Sequence, residues 1–149
     1  YREQNQGPVL QRASRTFAAL TLGSFSGLRA DYDEHGKPVL VGVRPDGRTT
    51  LGVAALSDGT RDQLYLALRL ASLEHHLDTN PPLPFIVDDI LVQFDDARAA
   101  AALQVLADVS DRTQVVFFTH HEHLIEVARG QVAADKLFVQ RLTDHPETI

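Results

Sequence analysis

Apolar positions along this chain follow three different periods in turn, and each change of period marks a region. From Tyr1 to Leu22, Val9, Leu10, Ala13, Phe17, Leu20 and, at a looser fit, Thr21 recur at the spacing of one helix face, with Arg12 and Arg15 between them. Gly7-Pro8 predicts either a kink or the start of a new helix, and Gly23 is placed to end it. From residue 23 to 53 the pattern shifts toward alternation. Phe25, Leu28 and Ala30 lead into the polar turn Asp33-Glu34-His35-Gly36, and a run rich in β-branched residues, Pro38 to Val43, follows. Arg44-Pro45-Asp46-Gly47-Arg48 then has the chemistry of a tight turn. The region reads as a three-stranded antiparallel meander.

From residue 54 to 143 helical and strand patterns alternate. A helix is expected from Thr60 to His76, apolar on nearly every side (Leu64, Leu66, Ala67, Leu68, Leu70, Ala71, Leu73) and therefore deeply buried. Pro81-Pro82 breaks the chain before a short buried strand, Phe85-Ile86-Val87. Asp95 or Asp96 is positioned to cap an alanine-rich helix reaching Val109. A second buried strand follows at Val115 to Phe118, then a helix from Glu122 to Arg129 and a last strand at Leu137-Phe138-Val139. Strands separated by helices predict an α/β fold whose parallel sheet is covered on both faces. Residues 144–149 read as a loose tail.

Composition narrows the class. A chain of 149 residues, 44% hydrophobic and 23% charged, suffices for one domain with a real core. No apolar run approaches the ~20 residues of a membrane-spanning helix, and no secretory signal is visible. Without cysteine there is neither a disulfide framework nor a thiolate metal site, which agrees with a cytoplasmic setting. The formal charge of −6 is opposite to that of a domain gripping DNA unaided. Tyr1 in place of an initiator methionine suggests a piece of a longer chain.

Candidate chemistry lies where the predicted parallel strands end, because ligands of such sheets bind beyond the carboxyl ends. One strand runs into Asp88-Asp89 and the other into Thr119-His120-His121. If the strands are neighbours, two carboxylates and an imidazole meet on one rim, a set suited to hydrated Mg²⁺, an attacking water and a phosphate oxygen. Singly, each has a plainer explanation: acids after a strand cap helices, and a histidine pair is commonly a solvated loop. The third element is Leu56-Ser57-Asp58-Gly59-Thr60, which places a hydroxyl and free N–H groups at the positive end of the most buried helix. Alone it too can be an ordinary helix cap.

Taken in order, these elements resemble the motifs of an ABC-type ATPase. Leu56 to Thr60 resembles the signature sequence LSGGQ, and Phe85 to Asp89 resembles a Walker B strand. Phe94-Asp95 looks like a D-loop and Phe117-Phe118-Thr119-His120 like the strand and histidine of an H-loop. The string from Leu56 to Leu73 is similar to bacterial YhaN-type ATPases, relatives of SbcC. The resemblance implies the C-terminal lobe of an SMC/SbcC-like head with a P-loop NTPase-like fold, using ATP and Mg²⁺. It implies that Asp88 holds Mg²⁺ through water and that Asp89 polarises the attacking water. His120 would touch the γ-phosphate, and Ser57 and Gly59 would bind the γ-phosphate held by an opposite head, with Asp95 reaching across the dimer. The first helix would be the base of a coiled-coil arm. The implied partners are an N-terminal Walker A lobe of the same protein, a second head in a homodimer and an SbcD-like metallophosphoesterase. DNA would be met through the full complex, in the cytoplasm or at the nucleoid.

The pattern departs from the family in four places. The loop Gly-x-x-x-x-Gly-Lys-Ser/Thr is absent, Gly36-Lys37 being followed by Pro38. Asp89 is one methylene shorter than the usual glutamate, Asp58 replaces a glycine, and Thr60 replaces a glutamine. A non-catalytic dimerisation module is therefore an alternative. A metal-dependent hydrolase built from Asp88, Asp89, Asp95, Asp96, His120, His121 and His123 is another.

Overall fold

The computed structural model describes residues 2–142, with side chains from Gly7 onward; the expected tail at 144–149 lies outside the described residues. The chain runs α1 (Arg2–Leu20), β1 (Gly27–Tyr32), β2 (Pro38–Val43), β3 (Thr50–Gly52), a short 3-10 turn (Val53–Ala55), α2 (Asp58–Leu77), β4 (Phe85–Asp88), α3 (Asp96–Val109), β5 (Val115–Phe118) and α4 (Glu122–Gln131).

Helix α1 continues through Pro8 and buries Ala13, Phe17 and Leu20 completely. Its end is a Schellman motif: Leu22 N–H donates to Ala19 O at 3.1 Å and Gly23 N–H to Ala18 O at 3.0 Å. The left-handed position of that motif falls on Leu22, with φ 54°, and Gly23 continues it at φ 78°. The glycine closes the cap one residue later than a glycine terminator normally stands. The remaining terminal carbonyl, on Leu20, is taken by the fully buried Gln63 of α2, whose Nε2 donates at 2.5 Å. A residue in the middle of one helix thus completes the end of another.

The meander pairs β1 with β2 from Gly27↔Val43 to Tyr32↔Pro38, and β2 with β3 from Val41↔Gly52 to Val43↔Thr50, both antiparallel. It is seated on α1 by Ser14, whose Oγ accepts the Leu28 N–H at 2.8 Å. Phe17 and Phe25 meet with centroids 5.1 Å apart, and the Arg44 guanidinium stacks 4.3 Å from the Phe25 ring centre. Gly42 is required there: a Cβ would come within 2.9 Å of the Phe25 ring.

Helix α2 is the central element, turning Leu64, Leu66, Ala67, Leu70 and Ala71 into the core. Strands β4 and β5 pair in parallel, Phe85↔Val115 through Asp88↔Phe118. One face of the pair, Phe85, Val87, Val115 and Phe117, packs on the core. The other face is open, with Ile86 58% and Phe118 44% exposed. Sequence patterning predicts cover on both faces, and the described residues supply it on one. The expected last strand at Leu137 to Val139 does not form among the described residues. Strand character needs a ladder partner, and Leu137 packs on the core while Phe138 stands 85% exposed.

Candidate functional site

The rim at the carboxyl ends of β4 and β5 is built by register. Because Asp88 pairs with Phe118, the next residues of both strands emerge side by side. Asp89 N–H donates to Phe118 O at 2.8 Å, extending the ladder one step past β4. The backbone then turns through a left-handed conformation at Asp89, φ 48°. For a residue with a Cβ this costs about 1–2 kcal/mol, and such strain tends to mark functional positions.

The Asp89 carboxylate is held from the β5 side. Thr119 Oγ1 donates to Asp89 Oδ1 at 3.1 Å, and His121 Nε2 lies 3.6 Å from Asp89 Oδ2. The same threonine oxygen accepts the His121 N–H at 3.0 Å, tying the start of α4 to the acid. Asp88, by contrast, is exposed, and no hydrogen bond or ion pair engages it among the described residues; His120 is exposed and likewise free. The acids lie at one end of a cleft of roughly 280 Å³ between α2 and the β4–α3 loop, lined also by Asp62, Tyr65, Arg69 and Phe94.

The tip of α2 is separate in sequence and near in space. Ser57 is the N-cap: its Oγ accepts Thr60 N–H at 3.2 Å and lies 2.8 Å from the buried Thr60 hydroxyl. A methyl group on Gly59 would lie 3.4 Å from the Gln93 carbonyl oxygen, so the tip sits against the β4–α3 loop. Ser57 is exposed, and an α-helix leaves its first N–H groups without partners of its own. Asp58 is 78% exposed and leans toward Arg61, 3.7 Å away, so its charge is turned outward along the helix. Thr60 points inward and supports the cap.

Asp95 is the N-cap of α3, accepting Arg98 N–H at 2.8 Å, with 65% of its side chain exposed. The neighbouring Asp96 instead pairs with His123 at 2.8 Å, and that carboxylate holds the His123 imidazolium pKa above its usual value. The structure therefore gathers Asp88, Asp89, Thr119, His120 and His121 on one rim and sets Ser57 and Gly59 beside the loop leading to Asp95. Sequence reasoning passed over Thr119 and His121 as partners of Asp89. Both letters are visible in the string, but only the strand register decides which imidazole meets the acid. Among the described residues, no three His, Asp or Glu side chains form a group able to hold a metal, so the hydrolase reading finds no cluster.

No protein-family model matches the chain. It is 37% identical over 117 residues to the protein YhaN of Bacillus subtilis, covering 78% of this chain and 12% of that one. It is 31% identical over 99 residues to the DNA double-strand break repair Rad50 ATPase of Saccharolobus solfataricus, covering 63% of this chain and 11% of the relative. The chain thus spans about an eighth of the length of these relatives. Among solved structures, it superposes with a TM-score of 0.66 and 20% identity on a protein studied for ATP-driven dimerization and DNA-stimulated activation of SMC ATPases. That match covers 84% of this chain and 74% of the other.

Proposed function

We propose, from its likeness to YhaN and Rad50, that this chain is an SMC/SbcC-like ABC-type ATPase head fragment that forms the C-terminal half of a head which binds and hydrolyses ATP and dimerises around it. The observation that carries the reading is the rim: a free carboxylate, an oriented carboxylate and a free imidazole emerge together from two parallel strands. The open face of the same strands supports an N-terminal lobe bearing the phosphate loop, since parallel sheets are normally covered on both sides. The chain by itself is then inactive. Helix α1 serves as the base of a coiled-coil arm, the meander as the sheet leading into residues 54–143.

The residues suit Mg²⁺-ATP. A hydrated Mg²⁺ is typically held by one or two carboxylates, and Asp88 offers one without a competing protein partner. When bound, the ion neutralises phosphate charge. Asp89 accepts a proton from the attacking water, His120 donates an N–H toward the terminal phosphate, and Ser57 with the Gly59 N–H receives the phosphate held by the second head. Asp95 reaches across the homodimer. By likeness to Rad50 and to the chromosome partition protein Smc of Methylococcus capsulatus, 28% identical over 92 residues, the complete protein acts in DNA repair or chromosome maintenance. An SbcD-like metallophosphoesterase is a partner, DNA is met through the full complex, and the setting is cytoplasmic. No helix among the described residues is long and apolar enough to cross a membrane.

In the complete head, Asp88→Ala abolishes Mg²⁺-ATP binding measured by calorimetry; unchanged binding would refute the assignment. Asp89→Asn lowers turnover by about a hundredfold or more and traps the ATP-bound dimer in size-exclusion chromatography. A second reading, a non-catalytic dimerisation module, draws on the engagement of Asp89 by Thr119 and His121. It requires that the complete head show no ATP turnover and that Asp89→Asn leave the dimer lifetime unaltered.

A further inference from the structure

We infer that Thr119 and His121 form a clamp that positions the Asp89 carboxylate for water activation, with His121 acting on the reaction through Asp89 and distinctly from His120. The inference rests on the ATPase reading above and adds two residues to it. Each oxygen of Asp89 has its own partner: the threonine hydroxyl at 3.1 Å on Oδ1 and the imidazole Nε2 at 3.6 Å on Oδ2. The clamp is itself braced. Thr119 Oγ1 receives the His121 N–H at 3.0 Å while its hydrogen goes to the acid, so one hydroxyl fixes both the carboxylate and the backbone that carries the imidazole.

Two features say that this is more than a helix cap. His121 occupies the N-cap position of α4 yet makes no side-chain cap bond, so its ring is turned to the acid instead of to the helix it precedes. Asp89 meanwhile sits at a left-handed φ of 48°, and from that strained backbone its carboxylate meets Thr119 and His121 beyond the end of β5. The clamp also has a chemical rationale. An aspartate is one methylene shorter than the glutamate usual at this position of ABC-type ATPases. A shorter acid has less reach and less tolerance for misplacement, and an error of about 1 Å in a catalytic group can cost about a hundredfold in rate. A hydrogen bond on one oxygen and an imidazole facing the other compensate for that loss of reach. It leaves the outward lone pairs of the carboxylate, on the quarter of the side chain that stays exposed, to receive the water proton.

The test uses the complete head, with kcat and KM for ATP measured separately. His121→Ala and Thr119→Val are each expected to lower kcat by about tenfold while KM stays within about twofold, and Thr119→Ser and His121→Gln, which keep a donor, are expected to recover most of the loss. The decisive measurement places His121→Ala in an Asp89→Asn background. If His121 works through Asp89, the double variant turns over no more slowly than Asp89→Asn alone. Equal losses in both backgrounds, or an unchanged kcat in His121→Ala and Thr119→Val, overturn the clamp. If Asp89→Asn itself retains full turnover, the assignment of Asp89 as the water-activating acid in the proposed function has failed, a result that the single His121 and Thr119 variants cannot produce. The His121 side chain is exposed and makes no cap bond, so its replacement is expected to leave the fold intact.

Discussion

Where α1, the meander and α2 meet, side-chain polar groups are spent on other parts of the protein. Gln63 finishes the end of α1, Ser14 anchors β1, and Thr21 turns its hydroxyl back on the Phe17 carbonyl at 2.8 Å. At the rim of β4 and β5 the arrangement is reversed. Asp88 and His120 carry no protein partner among the described residues, Asp89 adopts a strained backbone, and apolar Ile86 and Phe118 face outward. The first region spends its chemistry on holding the fold, while the second keeps its chemistry available. Substitutions should therefore cost stability in one region and binding or turnover in the other.

The sharpest way to break that contrast is Phe17→Ala. Phe17 is fully buried and packs against Phe25, whose own close approach to β2 depends on Gly42. Removing it leaves a cavity between α1 and the meander, and the expected loss is about 3–5 kcal/mol, read as a lower denaturant midpoint. A loss under about 1 kcal/mol would mean that the meander is not held by this contact. Gln63→Ala comes next. It deletes the donor to the Leu20 carbonyl and leaves that buried oxygen unpaired, for a loss of about 2 kcal/mol. A stability equal to that of the parent would show that the α1 terminus is satisfied another way.

These two residues also show what the sequence could and could not disclose. Phe17 was legible as a core position because helical spacing fixes which face is buried, and the same logic exposed α2 and the two short strands. The shared placement of Asp88, Asp89 and His120 at the strand ends was legible because neighbouring parallel strands bring their carboxyl ends to one rim. The role of Gln63 was not, since its partner is 43 residues away and a lone glutamine in an apolar helix carries no periodic signal. The clamp on Asp89 was hidden for a related reason: a one-residue change of register would exchange His121 for a neighbour. Leu22 takes the left-handed position that a glycine normally takes, directly after the buried Leu20 and Thr21, and local propensity alone would have put the glycine there. The Leu137 to Val139 strand failed because a short apolar string predicts only a tendency, and a ladder requires a neighbour.

A smaller effect is expected where α1 meets the far end of α2. Asp78 is gripped by Arg12 at 2.6 Å and by Arg112 at 3.0 Å, and the two guanidinium groups hold its carboxyl below its ordinary value of 3.8. A carboxylate whose folded pKa is depressed contributes stability that is complete above the unfolded value and disappears as pH falls through the folded one. The contribution of Asp78 is therefore intact at neutral pH and lost in the window beneath about pH 4. Arg12→Ala should weaken this part of the acid sensitivity, the difference from the parent being visible at pH 6 and vanishing toward pH 2 in urea titrations. A difference that persists undiminished at pH 2 would assign the effect to packing of the arginine stem instead. Asp78 is exposed, so solvent screens the pairing and its contribution to stability is small.

The smallest effect belongs to the open face, and it tests the other half of the contrast. Ile86 is 58% exposed on a strand whose inner neighbours, Phe85 and Val87, belong to the core. Ile86→Thr keeps β-branching and therefore strand preference, and removes little apolar surface that this chain has buried. Stability of the chain alone should change by no more than about 0.5 kcal/mol. In the complete head the same substitution lies under the proposed N-terminal lobe, where a hydroxyl would be desolvated without a partner, and thermal stability should fall clearly below that of the parent head. A large loss in the chain alone would mean that this face already packs on something within it. Equal tolerance in both settings would mean that no lobe covers it, and the open side of the sheet would then need another explanation than an absent half of the head.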